Sequence, residues 1–90
     1  MLFMVVEHFK NGDSVPIYRR FRDEGRLTPA GVTYVGSWVT ADLSRCFQIL
    51  ESPDRALLVQ WLARWTDLVD FEVVQMIASA DAVSMITSRL

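Results

Sequence analysis

An acidic side chain near the start of the chain is the first candidate for chemistry. Glu7 follows an apolar run at residues 2–6 and precedes Phe9, within a segment that is typical of a buried strand. A buried carboxylate is costly unless it is paired, so its pKa should rise and it could act as a general base. The competing interpretation is a glutamate at a strand end, bonded to Arg45 or to solvent. Glu7 is the candidate catalytic residue.

Three further side chains are candidates for holding a small molecule. Gln48 lies mid-strand between apolar neighbours, where its amide needs partners. It could orient a ligand carbonyl, or instead bond to Glu7 or across a dimer. Tyr34 and Trp38 flank Gly36 at alternate positions, which predicts that they share one strand face and wall a pocket. The alternative is that the two aromatic side chains only pack against their neighbours and that Gly36 forms a β-bulge.

Other reactive side chains favour structural roles. His8 is adjacent to Glu7 in a strand, so the two point to opposite faces and cannot form a local dyad. Cys46 is the single cysteine and has no histidine near it in sequence, which favours an inert buried thiol. Trp61 and Trp65 lie four apart, as expected for a core or interface stripe on a helix.

Charge and composition exclude several classes of function. The net charge of −2 and the pI of about 5.2 argue against nucleic-acid binding and against docking on anionic membranes. Acidic neighbours interrupt the arginine run at residues 19–22, so a solvated helix face is favoured. No motif for a metal ion or a cofactor is present. The N-terminal apolar run is too short for a signal core or a membrane span, so we expect a cytoplasmic protein.

Patterning along the 90 residues predicts one α+β domain. Residues 2–9, 32–39, 45–51 and 71–77 have the β-branched and aromatic composition of strands. One helix is expected after Ser14, with Pro16 in its first turn and Gly25 as its stop. A second should begin with Ser52 as its cap, Pro53 at its first position and Asp54 in its first turn, and a short third at Ser79. This is the β-α-β-β-α-β order of a ferredoxin-like sandwich.

The predicted sheet has a face that its own helices do not cover. Right-handed crossovers place both long helices on one side. The other side should be polar if it met water. Both faces of the first strand are instead mostly apolar. We therefore expect a homodimer in which two such sheets form a shared α/β barrel.

Several segments also resemble a known family. They are LFMVVEHF at residues 2–9, SWV at 37–39, RCFQILE at 45–51, WLARW at 61–65 and DLVDFE at 67–72. The chain resembles a family of small bacterial proteins of unknown function that is similar to the dimeric α/β-barrel superfamily. The resemblance covers nearly the whole chain. It implies the fold and a dimer, and it brings no established activity.

Two functions are consistent with this sequence. The first is a barrel that binds a small apolar or aromatic molecule among Glu7, Tyr34, Trp38 and Gln48. If it is an enzyme, cofactor-free monooxygenase-like or isomerase-like chemistry would use Glu7 as the base. The second is a non-catalytic structural or regulatory dimerisation module whose barrel is filled by its own side chains. Likeness of fold does not decide between them.

Overall fold

A computed structural model describes all 90 residues. Four strands and three α-helices alternate along the chain: β1 (Leu2–Phe9), α1 (Val15–Glu24), β2 (Thr33–Val39), β3 (Arg45–Glu51), α2 (Arg55–Leu62), β4 (Val69–Met76) and α3 (Ser79–Ile86). The strands form one sheet in the order β2-β3-β1-β4, and every neighbouring pair is antiparallel. The α+β class is confirmed, and the topology is consistent with a ferredoxin-like sheet.

Side-chain alternation along β1 defines the two faces of the sheet. Phe3, Val5 and Phe9 are buried on the face that α1 and α2 cover, which we call the covered face. The residues between them point to the opposite side, the open face. The core lies between sheet and helices, where Leu58 and Trp61 of α2 pack on the covered face.

Local signals set the helix positions close to those predicted. The Asp13 carboxylate accepts the Val15 N–H at 3.0 Å, and Gly25 ends α1 at a positive φ of 74°. Asp54 caps α2 by accepting the Leu57 N–H at 2.7 Å. The turn after α2 is tighter than expected, so β4 begins at Val69 rather than two residues later. Buried Val69 explains the earlier start, because it completes the core.

The open face has no cover from its own chain. It carries Leu2, Met4, Val6, Trp38, Phe47, Ile49, Val74 and Met76. Every residue of α3 is exposed, so α3 does not close this face. The radius of gyration is 15.0 Å, whereas a compact domain of this length has about 12 Å. The protein is a thin, elongated layer of sheet and helix.

The cap of α2 gives a direct test of how the helix layer is fixed. We expect Asp54→Ala to lower the free energy of unfolding by about 1 kcal/mol, because the Leu57 N–H loses its acceptor. Asp54→Asn keeps an oxygen at the same position and should change stability by much less. Urea unfolding of the three proteins measures the difference. Equal loss in both variants would show that charge, rather than capping, explains the effect.

Candidate functional site

Strand alternation places Glu7 beneath the helices. It lies on the same face of β1 as Val5 and Phe9, and only 8% of its surface is exposed. Its partner across the β1–β3 ladder is Cys46, and Val5 pairs in the same way with Gln48. Glu7, Cys46 and Gln48 therefore form a polar group within the apolar covered face. Neighbours at this spacing are close enough for their side chains to interact.

A cavity of about 110 Å³ opens beside this group, between the sheet and the helices. Its wall consists mainly of apolar and aromatic side chains: Phe9, Ile17, Tyr18, Phe21, Val39, Trp61 and Trp65. Glu7, Arg26, Ser37, Cys46 and Gln48 supply its polar lining. A mostly apolar hollow with a few polar groups is the usual composition of a small-molecule site.

Two residues of the cavity lining each carry a buried polar atom without a hydrogen-bond partner. The atoms are Oε1 of Gln48 and Nε1 of Trp65. Buried polar groups are nearly always paired, so each exception needs an explanation. A ligand that offers one donor and one acceptor would satisfy both atoms.

Arg26 lies at the rim of the cavity and is held by aromatic rings. Its guanidinium is 3.7 Å from the centroid of the Tyr34 ring and 5.1 Å from that of Phe21. Its backbone carbonyl accepts a hydrogen bond of 2.8 Å from Nε1 of Trp61. The Tyr34 hydroxyl lies 2.7 Å from Oγ of Ser37. These contacts fix the guanidinium of Arg26 at the cavity.

The turn after α2 is attached to α1 by a second arginine. Arg20 donates two hydrogen bonds to the Asp67 carboxylate, at 2.9 and 2.6 Å, and a third to the backbone carbonyl of Arg64 at 2.9 Å. Its guanidinium also lies 5.4 Å from the centroid of the Trp65 ring. Trp65 is therefore held at the cavity wall by contacts that involve both helices.

Burial raises the pKa of Glu7 above its ordinary value. The Gln48 amide, the Cys46 thiol and the Arg26 guanidinium oppose this shift, in decreasing order, and burial outweighs them. Arg26 acts without forming an ion pair with Glu7. A carboxylate whose pKa is raised is a stronger base than an ordinary glutamate side chain.

Cys46 is not suited to nucleophilic chemistry. Burial raises the pKa of its thiol to about 12, and the nearby Glu7 carboxylate adds to the shift. The nucleophilic form of cysteine is the thiolate, which this surrounding disfavours. Its role is to line the cavity and to contact Glu7. No group of three or more His, Cys, Asp and Glu side chains is placed to hold a metal ion.

The structure separates two of the predicted pocket residues. Tyr34 pairs with Leu50 on the covered face, whereas Trp38 pairs with Phe47 on the open face. The expectation that both share one face is wrong, because a bulge at Val35 shifts the register between Tyr34 and Gly36. Trp38 is 63% exposed and takes no part in the cavity. Glu7 and Gln48 do line one cavity, but it lies under the helices rather than on the open face.

Sequence reasoning missed Arg26 as a functional residue. Arg26 lies beyond the arginine run of α1 and follows the glycine that ends that helix. Its position between a helix stop and an aromatic strand was the available signal. Trp61 and Trp65 were interpreted as a core stripe, and they are buried in the core. That they also line a cavity depends on the distance between layers, which the sequence does not encode.

Comparison with known proteins gives a family and one distant structure. A family model described as a domain of unknown function, DUF3303, matches residues 1–90. No curated protein matches the chain. The X-ray crystal structure of protein Atu4242 from Agrobacterium tumefaciens is similar at a TM-score of 0.42 and 16% identity, covering 86% of this chain and 94% of that one. No helix here is both long and apolar enough to cross a bilayer.

The raised pKa of Glu7 predicts a specific dependence of stability on pH. The folded protein holds the proton more tightly than the unfolded chain, so the contribution of Glu7 is complete below pH 4.5, the ordinary pKa. It is lost as pH rises through the folded-state pKa. We therefore expect Glu7→Gln to gain stability relative to the unmodified protein as pH increases from 4 to 8.

Urea unfolding of both proteins at several pH values measures this difference. Titrations common to the two chains cancel in the subtraction. A difference that stays constant, or that falls as pH rises, would show that burial does not raise the pKa of Glu7.

Proposed function

The chain belongs to the DUF3303 family, whose description assigns no function, and from its own geometry we propose that it is a homodimeric protein that binds a small aromatic molecule. The ligand occupies the cavity between sheet and helices, and Glu7 exchanges a proton with it. Gln48 lines this cavity, whereas Tyr34 lies outside its lining and contributes by stacking on Arg26. Trp38 belongs instead to the dimer surface.

The observation that carries the proposal is the pair of unpartnered buried atoms at the cavity. Oε1 of Gln48 and Nε1 of Trp65 are an acceptor and a donor without partners. Leaving such a group unpaired costs about 1–3 kcal/mol. A site that exists only to fill the core would contain apolar groups there. We infer that these two atoms form hydrogen bonds with a bound ligand.

The size of the cavity limits the ligand. Its volume of about 110 Å³ is close to the ~150 Å³ of an apolar cavity that accepts benzene. One ring fits inside, with any substituent extending through the mouth. The T-shaped contact between Phe9 and Tyr18, with centroids 6.5 Å apart, provides an aromatic wall for such a ring.

Glu7 gives this site a chemistry that needs no cofactor. As a carboxylate it can remove a proton from a carbon next to a carbonyl, or from a phenol, and as the resulting acid it can return that proton elsewhere. Return to a different atom is an isomerisation. Deprotonation is also the first step of cofactor-free oxygenation of an activated ring. We propose such proton transfer as the activity, with Gln48 orienting the ligand.

The dimer is supported by the open face. From strand spacing and length, its flat area is roughly 450 Å², the size of the largest apolar patches on monomers, which are often contact surfaces. Met4, Phe47 and Ile49 at its centre are only half-buried. A second copy offers the same apolar shape and the same four-strand width. We propose that two open faces pack together into a barrel filled by these side chains.

A ligand screen read by melting temperature tests the binding site. Small phenols and aromatic acids at about 100 times their Kd should stabilise the protein by roughly 2.7 kcal/mol. Val39→Phe, which places a ring in the cavity, should abolish this stabilisation while the protein stays folded by circular dichroism. Glu7→Gln should abolish proton exchange with the bound ligand. A screen without any stabilising compound would favour the non-catalytic dimerisation module instead.

Sedimentation of a charged variant tests the dimer. We expect Ile49→Lys to convert the dimer to a monomer, because it buries an ammonium group at the centre of the open face. Val59→Lys is the matched control, since Val59 lies on the outer surface of α2 and is already 48% exposed. Identical sedimentation of both variants and the unmodified protein would show that the open face is not the interface.

A further inference from the structure

Arg26 is a cation at the cavity that no acidic group of the chain neutralises. Lys10, Arg20 and Arg22 each lie within 4.0 Å of a carboxylate. Arg26 does not, and among the arginines without such a partner it is the one that lines the cavity. Its side chain also donates no hydrogen bond, unlike that of Arg20. A half-buried guanidinium with five free N–H donors is suited to a planar anion.

The backbone around Arg26 is fixed in unusual conformations. Gly25 and Leu27, its two neighbours, both have positive φ, at 74° and 63°. For leucine this conformation costs about 1–2 kcal/mol. Together with the bond from Trp61 to the Arg26 carbonyl and the stacking on Tyr34, it determines where the guanidinium lies. Strain of this kind is commonly retained where it positions a binding group.

We propose that the ligand is a small aromatic carboxylate, whose carboxylate group pairs with Arg26 while its ring enters the cavity. This inference rests on the function proposed above and specifies the chemical class of the ligand. The carboxylate belongs at the rim for two reasons. The guanidinium is there, and an anion deeper inside would meet the Glu7 carboxylate across an apolar space.

A hydroxyl on the same ring is suggested by two other residues of the cavity lining, Gln48 and Trp65. Oε1 of Gln48 lacks a donor and Nε1 of Trp65 lacks an acceptor. A hydroxyl group can serve either role. A ring that carries both a carboxylate and a hydroxyl therefore offers a partner to Arg26 and to one of these two atoms. 4-Hydroxybenzoate is the simplest compound of this class.

Isothermal titration calorimetry of the full chain with two probes tests the proposal. The probes are 4-hydroxybenzoate and 4-hydroxybenzamide, which have the same shape but differ in charge. We expect the carboxylate to bind at least about tenfold more tightly, as a charge-assisted contact provides. Arg26→Gln should remove this preference and leave binding of the amide unchanged. Arg19→Gln removes an exposed charge from α1 and should retain the preference.

The other outcomes distinguish the inference from the proposed function. If both probes bind equally and Arg26→Gln changes neither affinity, the role of Arg26 is wrong and the cavity remains a binding site. If the preference persists in Arg26→Gln, another cation recognises the carboxylate. If neither probe binds while another ring of the screen stabilises the protein, the ligand class is wrong and the cavity remains a binding site. If both probes still bind to Val39→Phe, they bind elsewhere, and the proposed function fails together with the inference. Urea unfolding of each variant confirms that it is folded.

Discussion

The side-chain alternation of β1 is the constraint on which the rest of the structure depends. β1 is central in the sheet, with β3 on one side and β4 on the other. Its alternation sends Phe3, Val5, Glu7 and Phe9 under the helices and sends Leu2, Met4, Val6 and His8 to the open face. A shift of one residue would exchange these sets. The apolar contacts of Phe3 and Val5, both fully buried, fix the register and thereby fix a carboxylate inside the core.

This division gives the sheet two surfaces with different properties. The covered face combines an apolar core with one polar group around Glu7 and one cavity beside it. The open face is apolar at its centre and polar at one end. There His8 lies opposite Arg45 of β3 and Asp70 of β4 in the strand register. We assign ligand binding to the first surface and self-association to the second. The two functions are then physically separate, so a change on one face need not disturb the other.

Much of the fold was predictable from the sequence, because strand and helix signals are local. The bounds of β3 and the proline and glycine of α1 depend on neighbours within a few residues. The burial of Glu7 was predictable for the same reason. The cap of α2 was expected at Ser52 and is Asp54, so the helix begins two residues later than predicted. The faces of Tyr34 and Trp38 were predictable only in part. Gly36 indicated a possible bulge, but the sequence did not decide between that bulge and a shared face, and the extra residue at Val35 reverses the alternation. The cavity was not predictable, because it arises from the separation of helices and sheet. Arg26 acquires its role only when Trp61, distant in sequence, binds its carbonyl.

The three tryptophans provide the most direct test of where the ligand binds. Trp65 lines the cavity with a free Nε1, Trp61 binds Arg26 at the rim, and Trp38 lies on the open face. Their indole N–H groups give three resolved signals in a ¹H–¹⁵N NMR spectrum, assignable by substitution to phenylalanine. On titration with 4-hydroxybenzoate, we expect the Trp65 signal to move downfield as its N–H gains an acceptor, while the Trp38 signal stays in place. Movement of the Trp38 signal with an unchanged Trp65 signal would contradict a ligand site beneath the helices.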